Sequence, residues 1–511
     1  MRGFATHPWR APATLALATV LTAVLAGFLP VLAFGLANGL SRNDPYLLHV
    51  AGFTLLQAGL STVLSILLAL PVARALARRH FIGRGFIIRL FSLPLALPAI
   101  VAVLGLVEVY GRHGWLGGIF DLYGLRGILL AHVFFNFPMV ARMLLSRLAA
   151  VPAESWRLAA QLGFRDRDIW TRIEWPQISS ALPGIAILVF LLCTASFTVV
   201  LTLGGGPNAT TLEVAIYQAL RFDFDPPRAV GLALVQLAIC GSLVLLSYRF
   251  GTEIQALPAL RKTAARFDGN SLLARCMDSC ALAFGLLLLL PPILAVGVSG
   301  LAHLDFSGEL FRATATSLAI GICSASLSVL LCWPLAQAAA RRMIWARLSY
   351  LAILAGFIVP PAVLATGWFV LLSRMPMLAL PAPLLVIAMS SLMALPFVYN
   401  ILAPAMTTSA QQNDRLCAGL GIAGMNRVIL IDLPMLRKPL GLAVLMATIV
   451  SLGDLTAITL FGSQNFATLP ALIYRQMGSY RIETAAGTAL ILALFTLALI
   501  TLVDRWSDAG D

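Results

Sequence analysis

Residues 158–176 read LAAQLGFRDRDIWTRIEWP, and residues 416–434 read LCAGLGIAGMNRVILIDLP. Both begin with small and apolar residues that run to Leu-Gly, and both close on Ile, an acid, an apolar residue and Pro. In each, the proline follows the glycine by thirteen positions, Gly163 to Pro176 and Gly421 to Pro434. A polar segment that recurs 258 residues later in a very apolar chain points to duplication, and the flanking sequence extends the match. LSILLALPVARALARR (64–79) pairs with LSVLLCWPLAQAAARR (327–342), and FFNFPMVARML (134–144) with LMALPFVYNIL (392–402). TLGGGPNATTLEVAIYQAL (202–220) pairs with TLFGSQNFATLPALIYRQM (459–477). The elements recur in the same order, which describes a parallel repeat of two helical halves, 1–256 and 271–511, joined by the polar stretch 257–270.

The solvent of these helices follows from composition. Of 511 residues, 60% are hydrophobic and 11% charged, whereas a soluble domain is about a quarter charged. Twelve apolar runs approach the roughly 20 residues that span a bilayer core as a helix. They are 14–37, 50–77, 87–110, 126–148, 181–203 and 229–250, then 277–301, 314–339, 348–372, 382–404, 440–461 and 484–503. The expected fold is therefore an all-α polytopic membrane protein with six spans per half. The first run is too long for a signal-peptide core and reads as a retained helix. With the N-terminus inside, 26 of the 35 Lys and Arg fall on the inner side and 9 on the outer. That bias predicts cytoplasmic termini and accounts for most of the net charge of +13 without a nucleic-acid partner. The seven cysteines show no metal-ligand or disulfide spacing.

Several function classes drop out. The two lysines, Lys262 and Lys438, each follow an arginine, so no Gly-Lys pair exists to build a phosphate-cradling loop. The chain itself does not hydrolyse ATP by that chemistry. No span carries the paired His or acidic cluster that membrane catalysis would need. A secondary transporter can also have two six-helix halves, but it has no need of a repeated segment on the inner face.

Those segments lie between the fourth and fifth runs of each half. In each, the glycine is expected at positive φ, ending a short helix, and the proline suits the return to the next span. The result is a rigid knob on the cytoplasmic side, one per half. The pattern of Gly, nine residues, Ile, one residue, an apolar residue and Pro resembles the EAA motif of permease subunits in type I ABC importers. The matching positions are Ala159, Ala160, Gly163, Ile173 and Pro176, then Ala418, Gly421, Ile431 and Pro434. Glu174 and Asp432 stand at equal places in the two segments, where a local charge pair or a contact with a partner ATPase would each explain them. Where that motif has its Glu, six before the glycine, this chain has Arg157 and Arg415, and Cys417 stands at an alanine position.

The resemblance implies that each knob docks on a separate ATPase subunit, two copies in all, which binds the ATP and Mg²⁺. No cofactor is implied on this chain. Segments such as GLRGILLAHVFFNFPMVARMLL (124–145) and TLPALIYRQMGSYR (468–481) are similar to the fused two-half permeases of bacterial thiamine ABC importers. Fused permeases for ferric iron are the nearest rival. A thiamine importer of the bacterial inner membrane implies a periplasmic substrate-binding protein as a further partner, and thiamine or its phosphates as cargo.

Residues of the translocation path are less marked. Asp454, in SLGDLTAITL, is the acid deepest within an apolar run. A membrane carboxylate faces a cavity or a partner, and it would suit the thiazolium cation of thiamine. A structural, helix-bonded Asp is the alternative. Phe197 is its counterpart by the 202/459 pairing and could hold a cation on its ring face. Asn136 lies one turn from His132, where helix packing or a substrate contact would each explain it. The outer segments 205–228 and 462–483 are expected to begin short helices at Thr210 and Thr468.

Overall fold

The computed structural model describes residues 10–38, 45–118, 121–249, 266, 268, 271–341, 346–374, 381–462 and 466–508. Of the linker 257–270, all but Arg266 and Asp268 lie outside the described residues. The first sequence repeat supplies α1 (Arg10–Asn38), α2 (Pro45–Arg78), α3 (Arg84–Leu90), α4 (Leu93–Ala96), α5 (Ala99–Tyr110) and α6 (Leu125–Ala149). It continues with α7 (Ala153–Gln161), α8 (Asp166–Ile169), α9 (Trp175–Thr194), α10 (Phe197–Leu203), α11 (Leu212–Arg221) and α12 (Pro226–Arg249). The second supplies α13 (Leu272–Ala302), α14 (Gly308–Ala340), α15 (Ala346–Ile358), α16 (Pro361–Arg374) and α17 (Ala382–Gly419). After these come α18 (Gly424–Arg427), α19 (Leu433–Gly453), α20 (Thr456–Phe461), α21 (Leu469–Gly478) and α22 (Ile482–Asp508).

Among the described residues, nine helices are long and apolar enough to cross a membrane. The protein is an all-α, multi-pass membrane protein, and the nine helices fall on nine of the twelve apolar runs. The other three, 87–110, 348–372 and 440–461, are interrupted, and so is 181–203, where α9 ends at Thr194 and α10 begins at Phe197. The first two break at matched prolines. Leu97 is extended at ψ 135 just before Pro98 opens α5, and Pro361 is the first residue of α16. A proline ring disfavours the helical conformation of the residue before it, so an apolar run need not be one helix.

The chain forms two compact units. One comprises 43–214 and 238–303, and in it α2, α6 and α9 pack together while α13 lies against α5 and α2. The other comprises 1–42, 215–237 and 304–511, where α14, α17 and α19 make the matching trio and α1 lies against α16 and α14. Each unit thus takes in the opening helix of the other sequence repeat. Glycine makes both contacts possible. A Cβ on Gly105 would sit 2.4 Å from the carbonyl oxygen of Pro292 in α13, and one on Gly367 would sit 1.6 Å from that of Gly27 in α1. The indole Nε1 of Trp368 donates to the Ala23 carbonyl at 2.9 Å and fixes α1 along α16. Within a bilayer, small residues that let backbones meet are the usual basis of helix pairing.

Candidate functional site

In the first recurring segment, α7 ends at Gln161 and Gly163 follows at φ 66. The Phe164 amide donates to the Ala159 carbonyl at 3.0 Å, and the Gly163 amide to the Ala160 carbonyl at 3.2 Å. In the second segment Gly421 has φ 65. There the Ile422 amide donates to Cys417 at 2.9 Å, and the Gly421 amide to Ala418 at 3.5 Å. Both are Schellman turns, in which a left-handed residue lets the last amides close back on the helix. The small residues of the repeated pattern are the acceptors of that turn.

One expectation needs correction. A short helix with a break on both sides describes α7 only. It is set off from α6 by a turn ending at Pro152, whereas the second copy is the end of the unbroken 38-residue α17. The physical reason is the residue at the joint: Pro152 in one copy, Ala410 in the other.

Beyond the glycine turns the two copies converge again. A π-helical turn covers Trp170–Glu174 in one and Val428–Asp432 in the other, each running into the next span with Pro176 or Pro434 as its second residue. Such wide turns inside α-helices occur frequently at functional sites. Ile173 packs on the buried Val151, Trp156 and Ile169, while Ile431 is half-buried. The last residue of each π-turn is a buried acid. Glu174 Oε2 accepts from Arg74 Nε of α2 at 2.7 Å, and its Oε1 from Arg266 Nη2 at 2.6 Å. Asp432 accepts from Gln337 of α14 at 3.4 Å and from Ser409 at 3.5 Å, with Arg427 Nε 3.4 Å away. Arg74 and Gln337 are matched positions of the 64–79 and 327–342 repeat. Each segment is therefore tied to the second helix of its own repeat, by a salt bridge in one case and a neutral amide in the other.

Glu174 and Asp432 are spent inside their units, whereas other side chains of the same segments stand exposed. Leu158 and Leu162 are more than half exposed, and so are Leu416 and Leu420 at the matching places. These two leucine pairs, one helical turn apart, were hidden in sequence because a Leu at that spacing reads as core. Among the described residues, no three His, Cys, Asp or Glu side chains gather as a metal site.

Comparison with known proteins shows the family. The chain is 44% identical to the thiamine transport system permease protein of Brucella abortus (strain 2308), over 98% of this chain and 96% of that one. The chain belongs to the thiamine transport system permease family. Another member, from Escherichia coli (strain K12), is 42% identical over 91% of this chain and 90% of its own. The molybdenum transport system permease protein of Mycobacterium bovis is 31% identical over 37% of this chain and 74% of its own. No family model matches the chain. As a member of the thiamine permease family, the protein is a transport subunit and not an enzyme.

The remaining candidates of this permease lie at a second repeated feature. The fifth span of each repeat breaks, between α9 and α10 and between α19 and α20. Asp454 Oδ1 accepts from the amides of Thr456 at 2.9 Å and Ala457 at 3.4 Å, and Oδ2 from Ser390 Oγ at 3.1 Å. The side chain thus caps α20. Phe197 is the buried first residue of α10. The helices α10 and α20 stop at Gly204 and Gly462, which are 258 apart, so the structural counterpart of Asp454 is Ser196 and not Phe197. The sequence pairing slipped by one across the glycine-rich loop. Asn136 donates to Cys193 Sγ at 3.3 Å, and His132 Nδ1 and Ser61 Oγ are hydrogen-bonded at 3.0 Å. Both side chains are engaged in helix packing. Thr468 stands at the N-cap position of α21 without a side-chain capping bond, and α11 begins at Leu212, two residues after Thr210. The Leu212 amide donates to Thr54 and the Leu469 amide to Ser317, another matched pair of contacts.

The glycine turns give a direct test. Nothing lies within 4 Å of a Cβ at Gly163 or Gly421, so a substitution there meets only the backbone cost of a left-handed residue, about 1–2 kcal/mol. Gly163→Val and Gly421→Val are expected to leave the amount of permease in the membrane unchanged and to reduce uptake. Gly163→Asn, which tolerates positive φ, should retain most of it. Normal uptake by both valine variants would exclude a role for the turn.

Proposed function

We propose that the protein is the membrane subunit of an ATP-driven importer that moves thiamine or its phosphates across the bacterial inner membrane by alternating access. Separate ATPase subunits, two copies, dock on 154–176 and 412–434 and supply the ATP and Mg²⁺ chemistry. A periplasmic binding protein delivers the cargo. The observation that carries this reading is the glycine turn, π-turn and buried acid occurring twice in a chain that matches thiamine permeases along nearly its whole length. A rigid turn, tied by a buried acid to the second helix of its repeat, passes a push on the exposed leucines into the spans. The residues 1–256 and 271–511 act as the two halves of the transporter, and both termini face the cytoplasm.

Uptake by proteoliposomes holding the whole complex tests the cargo. Labelled thiamine is expected to enter in an ATP-dependent way and ferric iron to be left outside; the reverse would place the protein among iron importers. In the same assay Asp454→Asn keeps an equally good helix cap and removes the charge. A carboxylate has about four acceptor positions, of which three are occupied here. If the fourth meets the thiazolium, losing a charge-assisted contact of about 1.5–3 kcal/mol lowers uptake roughly ten- to a hundredfold. Wild-type uptake by an assembled Asp454→Asn complex removes Asp454 from the path. Orientation is tested by cysteine labelling. Asp305→Cys is expected to react with an impermeant reagent applied from outside, and Arg165→Cys and Asn426→Cys are not. The opposite pattern inverts the topology.

A further inference from the structure

Arg266 of the inter-repeat linker sends its side chain into the first recurring segment. The Arg266 side chain is 2% exposed. Its guanidinium carbon stands 4.1 Å from the ring centre of Trp156 on α7, and Nη2 bonds Glu174 at the end of the π-turn. Asp268 grips the same group from behind, accepting from Nε at 2.8 Å and from Nη2 at 2.7 Å. Burial alone would lower the Arg266 pKa, but the hydrogen bond and charge of Asp268 and the charge of Glu174 outweigh it and raise it. The second segment contains the same device from a different source. There Arg427 pairs with Asp414 and with Asp432, and those acids stand 258 positions after Trp156 and Glu174. The position matching Arg427 is Ile169, fully buried and without charge.

Both segments therefore enclose one guanidinium between the helix that ends at the glycine turn and the π-turn acid. The second carries its own, and the first borrows it from the chain that joins the repeats. We propose that Arg266 is a positioning residue, the functional substitute for Arg427, which locks α7 onto its π-turn and makes the linker a working part of the first segment. Its effect on transport rests on the reading of that segment as the ATPase coupling element, whereas its effect on the segment's order does not.

The test uses the full chain in its complex, with the exposed Cys276, Cys280 and Cys323 changed to Ser. A spin label is placed at Gln161→Cys on α7, or at the matching Gly419→Cys. Arg266→Met keeps the stem and leaves Glu174 to Arg74 and Asp268 to Arg78, so no buried acid is orphaned. The label at 161 is expected to gain mobility while the label at 419 does not, and uptake per ATP hydrolysed should fall by roughly tenfold, the equivalent of one charge-assisted hydrogen bond. Arg266→Lys should not restore order, since an ammonium cannot stack and fork at once. Moving the group should: Trp156→Asp with Ile169→Arg, added to Arg266→Met, rebuilds the arrangement of the second segment. A label at 161 as immobile in Arg266→Met as in the wild type overturns the inference, and so does a folded triple variant that stays loose. If mobility rises and is rescued while uptake per ATP stays level, Arg266 positions the segment, and the coupling role of the segment is what fails.

Discussion

Gly367→Ala is expected to remove most of the folded permease from the membrane. The added methyl would stand 1.6 Å from the carbonyl oxygen of Gly27, 2.3 Å from its carbon and 2.7 Å from its Cα. All three are backbone atoms, so no rotamer change relieves the overlap, and α1 must leave α16. Overpacking costs about 1–3 kcal/mol where side chains can shift; a backbone contact lies at or beyond the top of that range. Against a total stability of about 5–15 kcal/mol, little margin remains. The measurement is the yield of monodisperse protein after detergent extraction, with its unfolding midpoint. Gly297→Ala in α13, where nothing lies within 4 Å, should behave as wild type. Wild-type yield and midpoint for Gly367→Ala would show that the close approach of α1 and α16 does not hold.

Glu174→Ala should be the most damaging change in the recurring segments. It strips Arg74 of its acid and leaves Arg266 to Asp268 alone, and removing one member of a buried pair costs about 3–5 kcal/mol. Asp432→Ala should cost less. Two of its donors, Gln337 and Ser409, are neutral, and the third, Arg427 at 3.4 Å, keeps Asp414. The unfolding midpoint of Glu174→Ala is accordingly expected well below that of Asp432→Ala. Equal shifts would mean that the charge network of the first segment is not what holds it.

The contrast between these acids shows what was legible in the chain. Their equivalence was, because a glycine turn and a proline return need particular residues at particular places, and Gly163 and Gly421 adopt the positive φ that their spacing implied. Their partners were not. Arg74 lies 100 residues from Glu174 and Arg266 lies 92 away, and no local periodicity records such a distance. The broken third runs were half visible: Pro98 and Pro361 could be seen, but hydropathy averages across them. Phe224 and Tyr480 left no signal, although both stand at positive φ, 50 and 61, in matching exposed turns. Bulky aromatics rarely adopt that conformation, so residue type argued against it. The exchange of opening helices was equally hidden, because apolar periodicity reports that a face is buried and not what buries it.

That exchange has a consequence for how the protein is made. The Ala23 carbonyl of α1 leaves the ribosome 345 residues before the Trp368 indole that bonds it, a wait of roughly 20–70 s at about 5–20 residues per second. A lone apolar helix endures the delay, since its backbone bonds are internal and lipid can cover its sides. The other unit receives its last helix, α13, before α14 is even translated, so the two units mature in sequence, with the one containing the N-terminus finished last. If the gene were split at the linker, neither product could complete a unit alone. The two polypeptides would first have to meet in the bilayer and trade their opening helices.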